Sequence, residues 1–267
     1  MRLIAFSRAP ALVAAFERGF FAAEGLEVTF TRATSSRAQL DALLAGEHDV
    51  AHTAADNVVA RVDKGEDLRV VLVVDRGVDH RLIASPGIAR LEDLAGRVLG
   101  VDSPESGHAI VAYTMLAEAG IARGRYRAVA VGSTAERYAA LVAGTVDAAL
   151  LSPPHDERAV GQGCHVLADA ATRFADLPGL TVAVRGSWAA ANADGVMRYC
   201  RALLAGARSS GGDDAHPLTR SIAEMEQALR AALALRRAAG LASGDIDVRR
   251  YFDPAYARAA DPQLGES

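Results

Sequence analysis

Val98-Leu99-Gly100-Val101-Asp102-Ser103-Pro104-Glu105-Ser106-Gly107-His108 is the stretch that decides the fold. A short apolar run gives way to a polar turn of small residues, and an apolar pattern at helical spacing follows from Gly107 to Glu118. That succession reads as a buried strand, a tight turn and a helix N-terminus. Such a turn gathers free backbone N–H groups, two hydroxyls and the positive end of a helix at one point. A carboxylate, a sulfonate or another polar head group suits that setting. Comparable turns stand at Ser7-Arg8, Thr34-Ser35-Ser36, Thr53-Ala54 and Gly132-Ser133-Thr134. Capping alone accounts for any one of them, whereas several facing one another would form a binding site.

Outward from that stretch the chain alternates. Leu3–Phe6 reads as a strand, Ala9–Glu24 as a helix with Pro10 in its first turn, and Leu26–Phe30 as a strand with period-two alternation. Helices follow at Ser36–Ala45 and Asp56–Lys64, with strands at Asp49–His52 and Leu68–Val74. Strands apolar throughout and separated by helices predict a parallel sheet with helices on both faces. His80–Ser85 leads away as a further strand. A second cycle then runs through Val98–Val101, Gly107–Glu118, Tyr126–Val131, Ala135–Ala143 and Val146–Leu151, and more weakly through Pro153–Ala159 and Val166–Ala168. Leu180–Val184 is one more strand. From Trp188 the chain is helical, with a polar break at Ser209–Asp214 and a second long helix from Leu218 to Ala239.

The expected architecture is therefore α/β with two lobes: residues 1–85 plus 181–267 in the first, 86–180 in the second. The chain would cross between them twice, making a two-strand hinge beside a ligand cleft.

Composition narrows the function. The 267 residues are 51% apolar, but no run approaches the ~18 apolar residues that a bilayer span needs. Acids outnumber bases 33 to 29, Lys64 is the single lysine, and no basic block appears, so nucleic acid is not an expected partner. Cys164 and Cys200 make no disulfide framework. The seven histidines are scattered without ligand spacing, and no G-x-G-x-x-G opens the first strand–helix unit; neither a metal nor another cofactor is expected. Met1–Phe6 already reads as strand, with no leader pattern before it. Two compartments stay open on that reading: periplasmic or otherwise extracytoplasmic if a leader has been removed, cytoplasmic if not.

Five segments carry a resemblance. They are Glu17-Arg18-Gly19-Phe20-Phe21-Ala22-Ala23-Glu24-Gly25-Leu26-Glu27-Val28, Leu40–Val50, Leu91–Val101, Ser103–Gly107 and Arg137–Leu151. In this order and spacing the chain resembles the substrate-binding proteins of ABC importers for nitrate, sulfonates and thiamine-pyrimidine precursors, the NMT1/THI5-like group. The resemblance implies the type II periplasmic-binding-protein fold. It also implies a ligand held by turns at the C-terminal ends of strands. The first lobe would offer Ser7, Arg8, Ser35, Thr53, Asn57 and either Asp75 or Arg76. The second would offer Ser103, Ser106, Gly107, His108, Ser133 and Ser152. It further implies delivery to an ABC permease by a monomer. Glu105 departs from the family's turn, placing a carboxylate near the position of an anionic head group. The cysteine-rich signature of the fungal pyrimidine-synthesising relatives is absent.

Two other readings remain beside the binding module. Glu105 and His108, three residues apart, would serve a decarboxylase, dehydratase or lyase on the same scaffold as an acid/base pair. A sensor whose closure is read by a protein partner needs no chemistry at all. His52, His155, Tyr113 and Tyr138 are candidates for lining a site and equally for ordinary packing.

Overall fold

The computed structural model describes residues 1–211, 217–242 and 247–265. Residues 212–214 of the expected polar break lie outside these. Contacts divide the chain into two units: Met1–Gly77 with Asp176–Ala234 and Ala242–Ser267, and Val78–Ala175 with Leu235–Leu241.

The first unit is built on β1 (Arg2–Ala5), β2 (Thr29–Arg32), β3 (Val50–Thr53), β4 (Leu68–Val73) and β10 (Thr181–Arg185), in the order β2-β1-β3-β10-β4. Its helices are α1 (Pro10–Glu17), α2 (Phe20–Ala23), α3 (Ser36–Leu44), α4 (Ala55–Val62), α9 (Gly186–Ala191), α10 (Ala193–Ser210), most of α11 (Ile222–Ala238) and α12 (Pro254–Ala260). Val70 to Val74 are fully buried, as expected for a strand covered on both faces. The edge strand β2 is mostly exposed.

The expected helix over 9–24 is two helices. Gly19 adopts φ +72°, a left-handed conformation that ends α1 and re-aims the chain into α2. Gly206 has a packing reason of its own. A Cβ there would lie 2.2 Å from the Ala11 carbonyl oxygen, so α10 sits against α1 at a distance that no side chain permits.

The second unit holds β5 (Arg81–Ala84), β6 (Val98–Val101), β7 (Arg127–Ala130), β8 (Ala148–Leu151) and β9 (His165–Asp169), in the order β7-β6-β8-β5-β9. Its helices are α5 (Gly107–Glu118), α6 (Thr134–Val142), α7 (His155–Gly161) and α8 (Ala170–Arg173). Residues 78–85 group with this unit because β5 pairs with β8 and β9. The units divide at 77/78 and 175/176, against expected boundaries of 85/86 and 180/181.

Neither sheet is purely parallel. β10 runs antiparallel to β3 and β4, and β5 runs antiparallel to β8 and β9. The reason is topological. Each reversed strand is the one entered directly from the other unit, and it enters where the parallel strands end. Thr181 pairs with Thr53 and Val73, the last residues of β3 and β4; Arg81 pairs with Leu151 and Asp169, the last residues of β8 and β9. Both connectors therefore leave and enter at the C-terminal edges of the parallel strands. On the first unit's side they are tied by Gly77 N–H to Leu177 O (2.7 Å), Gly179 N–H to Asp75 O (2.9 Å) and Leu180 N–H to the Asp75 carboxylate (2.6 Å).

Candidate functional site

In the first unit the C-terminal edge of the sheet carries Ser7, Arg8, Ser35, Thr53 and Asn57. Ser7 and Arg8 are exposed after β1. The Arg8 guanidinium lies over the rings of Phe30 (4.8 Å) and Phe16 (5.2 Å), which fixes a cation at the edge with no carboxylate partner among the described residues. Ser35 caps α3, accepting from Ala38 N–H at 3.1 Å. Thr53 and Asn57 are buried and joined, Asn57 Nδ2 donating to Thr53 Oγ1 at 3.2 Å, while the Thr181 hydroxyl donates to Thr53 O. Beneath them the Gln39 amide donates to Ile4 O (3.1 Å) and His52 O (2.8 Å), locking α3 to the ends of β1 and β3. His52 Nε2 is 2.8 Å from the Tyr199 hydroxyl, and burial pushes the imidazole pKa down to about 3. Asp75 ties the connectors as described, and Arg76 lies 3.7 Å from Asp176.

The corresponding edge of the second unit is more strongly charged. Ser106 caps α5: its hydroxyl accepts from Ala109 N–H (3.2 Å) and donates to the buried Asp102 carboxylate. Ser133 forms a capping box on α6, where the Glu136 carboxylate accepts from Ser133 N–H (2.7 Å) and from its hydroxyl (2.8 Å). Gly107 opens α5, and Ser103 and Ser152 accept turn hydrogen bonds through their carbonyls. The hydroxyls of Ser35, Ser106 and Ser133 are thus committed to helix starts. The backbone amides that they leave at those starts and the positive ends of α5 and α6 remain the local attraction for an anion.

His108 stacks on His80, with ring centroids 4.5 Å apart. Burial first, and then the neighbouring His80, hold its pKa down to about 3, so the ring is neutral at ordinary pH. Glu105 is exposed, and its carbonyl accepts from Arg236 at 3.0 Å. A base that protonates near pH 3 is poorly matched to proton transfer at neutral pH, so the 105/108 spacing gains no acid/base support. Tyr138 accepts from Gln162 at 2.6 Å, and Tyr113 lies under Arg123 at 4.3 Å, so both rings have local roles. His155 packs 5.4 Å from the Tyr138 ring.

Sequence reasoning missed Arg137 as a site residue. It is 3% exposed and donates to Leu150 O (3.0 Å), Gly132 O (2.7 Å) and Thr134 Oγ1 (3.0 Å), all neutral acceptors at the ends of β7 and β8. Desolvation lowers its pKa, while Asp102 and Glu136 oppose that shift. The signal was available: Arg137 and Leu141 stand four apart on the buried face of α6. His80 was missed as well, because nothing in a strand pattern announces a ring stacked on a distant helix. Among the described residues no group of His, Cys, Asp and Glu could hold a metal ion, and Cys164 and Cys200 are free and buried.

The sequence pattern described as "NMT1/THI5 like" matches residues 7–210. The chain belongs to the NMT1/THI5-like family. Among solved structures, the periplasmic nitrate-binding protein NrtA from Synechocystis PCC 6803 superposes with a TM-score of 0.82 at 14% identity, covering 97% of this chain and 87% of that one. The alkanesulfonate-binding protein SsuA from Xanthomonas axonopodis pv. citri, bound to MOPS, gives 0.76 at 17% identity over 96% and 98%. The desulfurization enzyme DSZB gives 0.65 at 14% identity over 97% and 98%. No curated protein is a significant sequence match. The NMT1/THI5-like chain has the type II periplasmic-binding-protein fold, two α/β units with mixed sheets. A fold shared by nitrate- and sulfonate-binding proteins and a desulfurization enzyme does not choose between binding and catalysis.

Proposed function

We propose that this protein binds a small organic solute with a polar or anionic head at the strand-end turns of its two units and hands it to an ABC permease. The observation that carries the reading is topological. Both connectors join the C-terminal edge of one sheet to the C-terminal edge of the other, so each unit presents its turns at the edge from which the connectors run. Arg8, Arg137 and the N-termini of α5 and α6 favour a negative head group. Ser7, Thr53, Asn57, Ser103, Ser152 and the Gly107 amide are the further contacts we assign, with Ser35, Ser106 and Ser133 shaping the helix starts. The His80–His108 stack, in which the His108 ring is neutral, supplies a flat, polarizable face beside them. Binding does the work, and no bond in the solute is made or broken.

No described helix is long and apolar enough to cross a membrane. The protein would act as a monomer outside the cytoplasm, and the codons upstream of Met1 in its gene test that compartment. The binding claim is tested by titration calorimetry against alkanesulfonates, nitrate, carboxylates and pyrimidines. At least one solute should bind with a Kd below about 0.1 mM, in the range where such capture is useful. Kd values above about 1 mM for the whole set, or turnover of any member, would replace this reading.

A further inference from the structure

A cavity of about 500 Å³ lies in the first unit, away from the strand-end turns. It opens beside Arg69, at the start of β4, whereas the candidate site lies beyond the end of that strand, ~20 Å along it at the usual strand rise. Ile222 and Phe252, both buried residues, and Pro254 form an apolar wall. Three arginines line it: Arg69, Arg249 and Arg258. Two carboxylates share the lining, and both are engaged. Glu226 pairs with Arg230 at 3.3 Å, and Asp253 accepts from Ala255 N–H at 3.0 Å. Arg249 spends only its backbone N–H, on Asp247, and its guanidinium has no ion pair among the described residues. Arg69 donates to Leu68 O at 2.7 Å and is near enough to the Asp67 carboxylate to help lower its pKa, so Arg249 carries the largest share of the uncommitted charge.

We propose that this pocket is a second ligand site, taking a small organic dianion with an apolar body, of the phosphate-monoester or dicarboxylate class. Guanidinium forks match such oxyanions in paired hydrogen bonds, and the volume lies in the range of small-molecule sites. The apolar wall selects an organic body over the bare inorganic ion. The site does not depend on the solute capture proposed above.

The probe is phenyl phosphate, titrated into the full chain by calorimetry and compared with inorganic phosphate and phenol. Phenyl phosphate should bind at least tenfold more tightly than either control. Exposed Arg249 and Arg258 can be changed together, and R249Q/R258Q should weaken binding at least tenfold with an unaltered circular dichroism spectrum. Unweakened binding in that variant places the phosphate elsewhere, the strand-end turns included, and overturns the second site while leaving solute capture standing. Should the double variant misfold, R249Q alone decides: it should weaken phenyl phosphate binding severalfold, and unweakened binding overturns the second site. Equal affinity for phenol, or no binding at about 10 mM phenyl phosphate, also overturns it.

Discussion

Ser106 shows how one side chain serves both stability and the site. Its hydroxyl caps α5 through Ala109 N–H and at the same time satisfies the buried Asp102 carboxylate. Ser106→Ala removes the cap and strips a donor from a buried anion, so denaturant titration should show a loss of about 1–3 kcal/mol. A loss within experimental error would mean that Asp102 is satisfied without it. His52 and His108 give a second prediction at this scale. Both rings titrate near pH 3 in the folded chain, below the ordinary value near 6.5. The unfolded chain therefore binds more protons between those values, and stability falls as the pH drops through that window. His52 should cost about 2 kcal/mol between pH 7 and pH 5, and His108 acts in the same direction. His52→Gln should flatten the slope, and equal stability at the two pH values would contradict neutral imidazoles at these positions.

Elements were legible where a residue's type and its neighbours in sequence set the outcome. β4 is a continuous apolar strand because it is covered on both faces, and α3, α5 and α6 begin at the serines that cap them. What stayed hidden was set by partners distant in sequence. Strand direction in β5 and β10 follows from where the connectors arrive, not from their residues. The Ala9–Glu24 apolar pattern continues past Gly19, whose left-handed φ alone divides it. The stacking of His80 on His108 and the burial of Arg137 required two or three elements to meet. The candidate turns could be found in the sequence; how their hydroxyls are spent could not. The α1–α10 contact offers a test of element packing. Gly206→Ala drives a methyl group against the Ala11 carbonyl, and a loss of at least about 1–3 kcal/mol is expected in thermal or denaturant unfolding. A neutral substitution would show that the two helices can separate freely.

The whole molecule has a division of labour. Each unit owns a core and a sheet, and each presents its polar turns at the edge from which the connectors run. A solute held by both edges should stabilise the folded chain in proportion to its affinity, raising the unfolding midpoint by mass action. The same arrangement sets the most direct test, amide chemical-shift mapping by NMR of the tightest solute found by calorimetry. The account predicts shifts concentrated at residues 7–8, 34–36 and 53–57 of one unit and at 102–108, 132–134 and 152–156 of the other. Shifts confined to a single unit, or gathered at the opposite edges of the sheets, would contradict it.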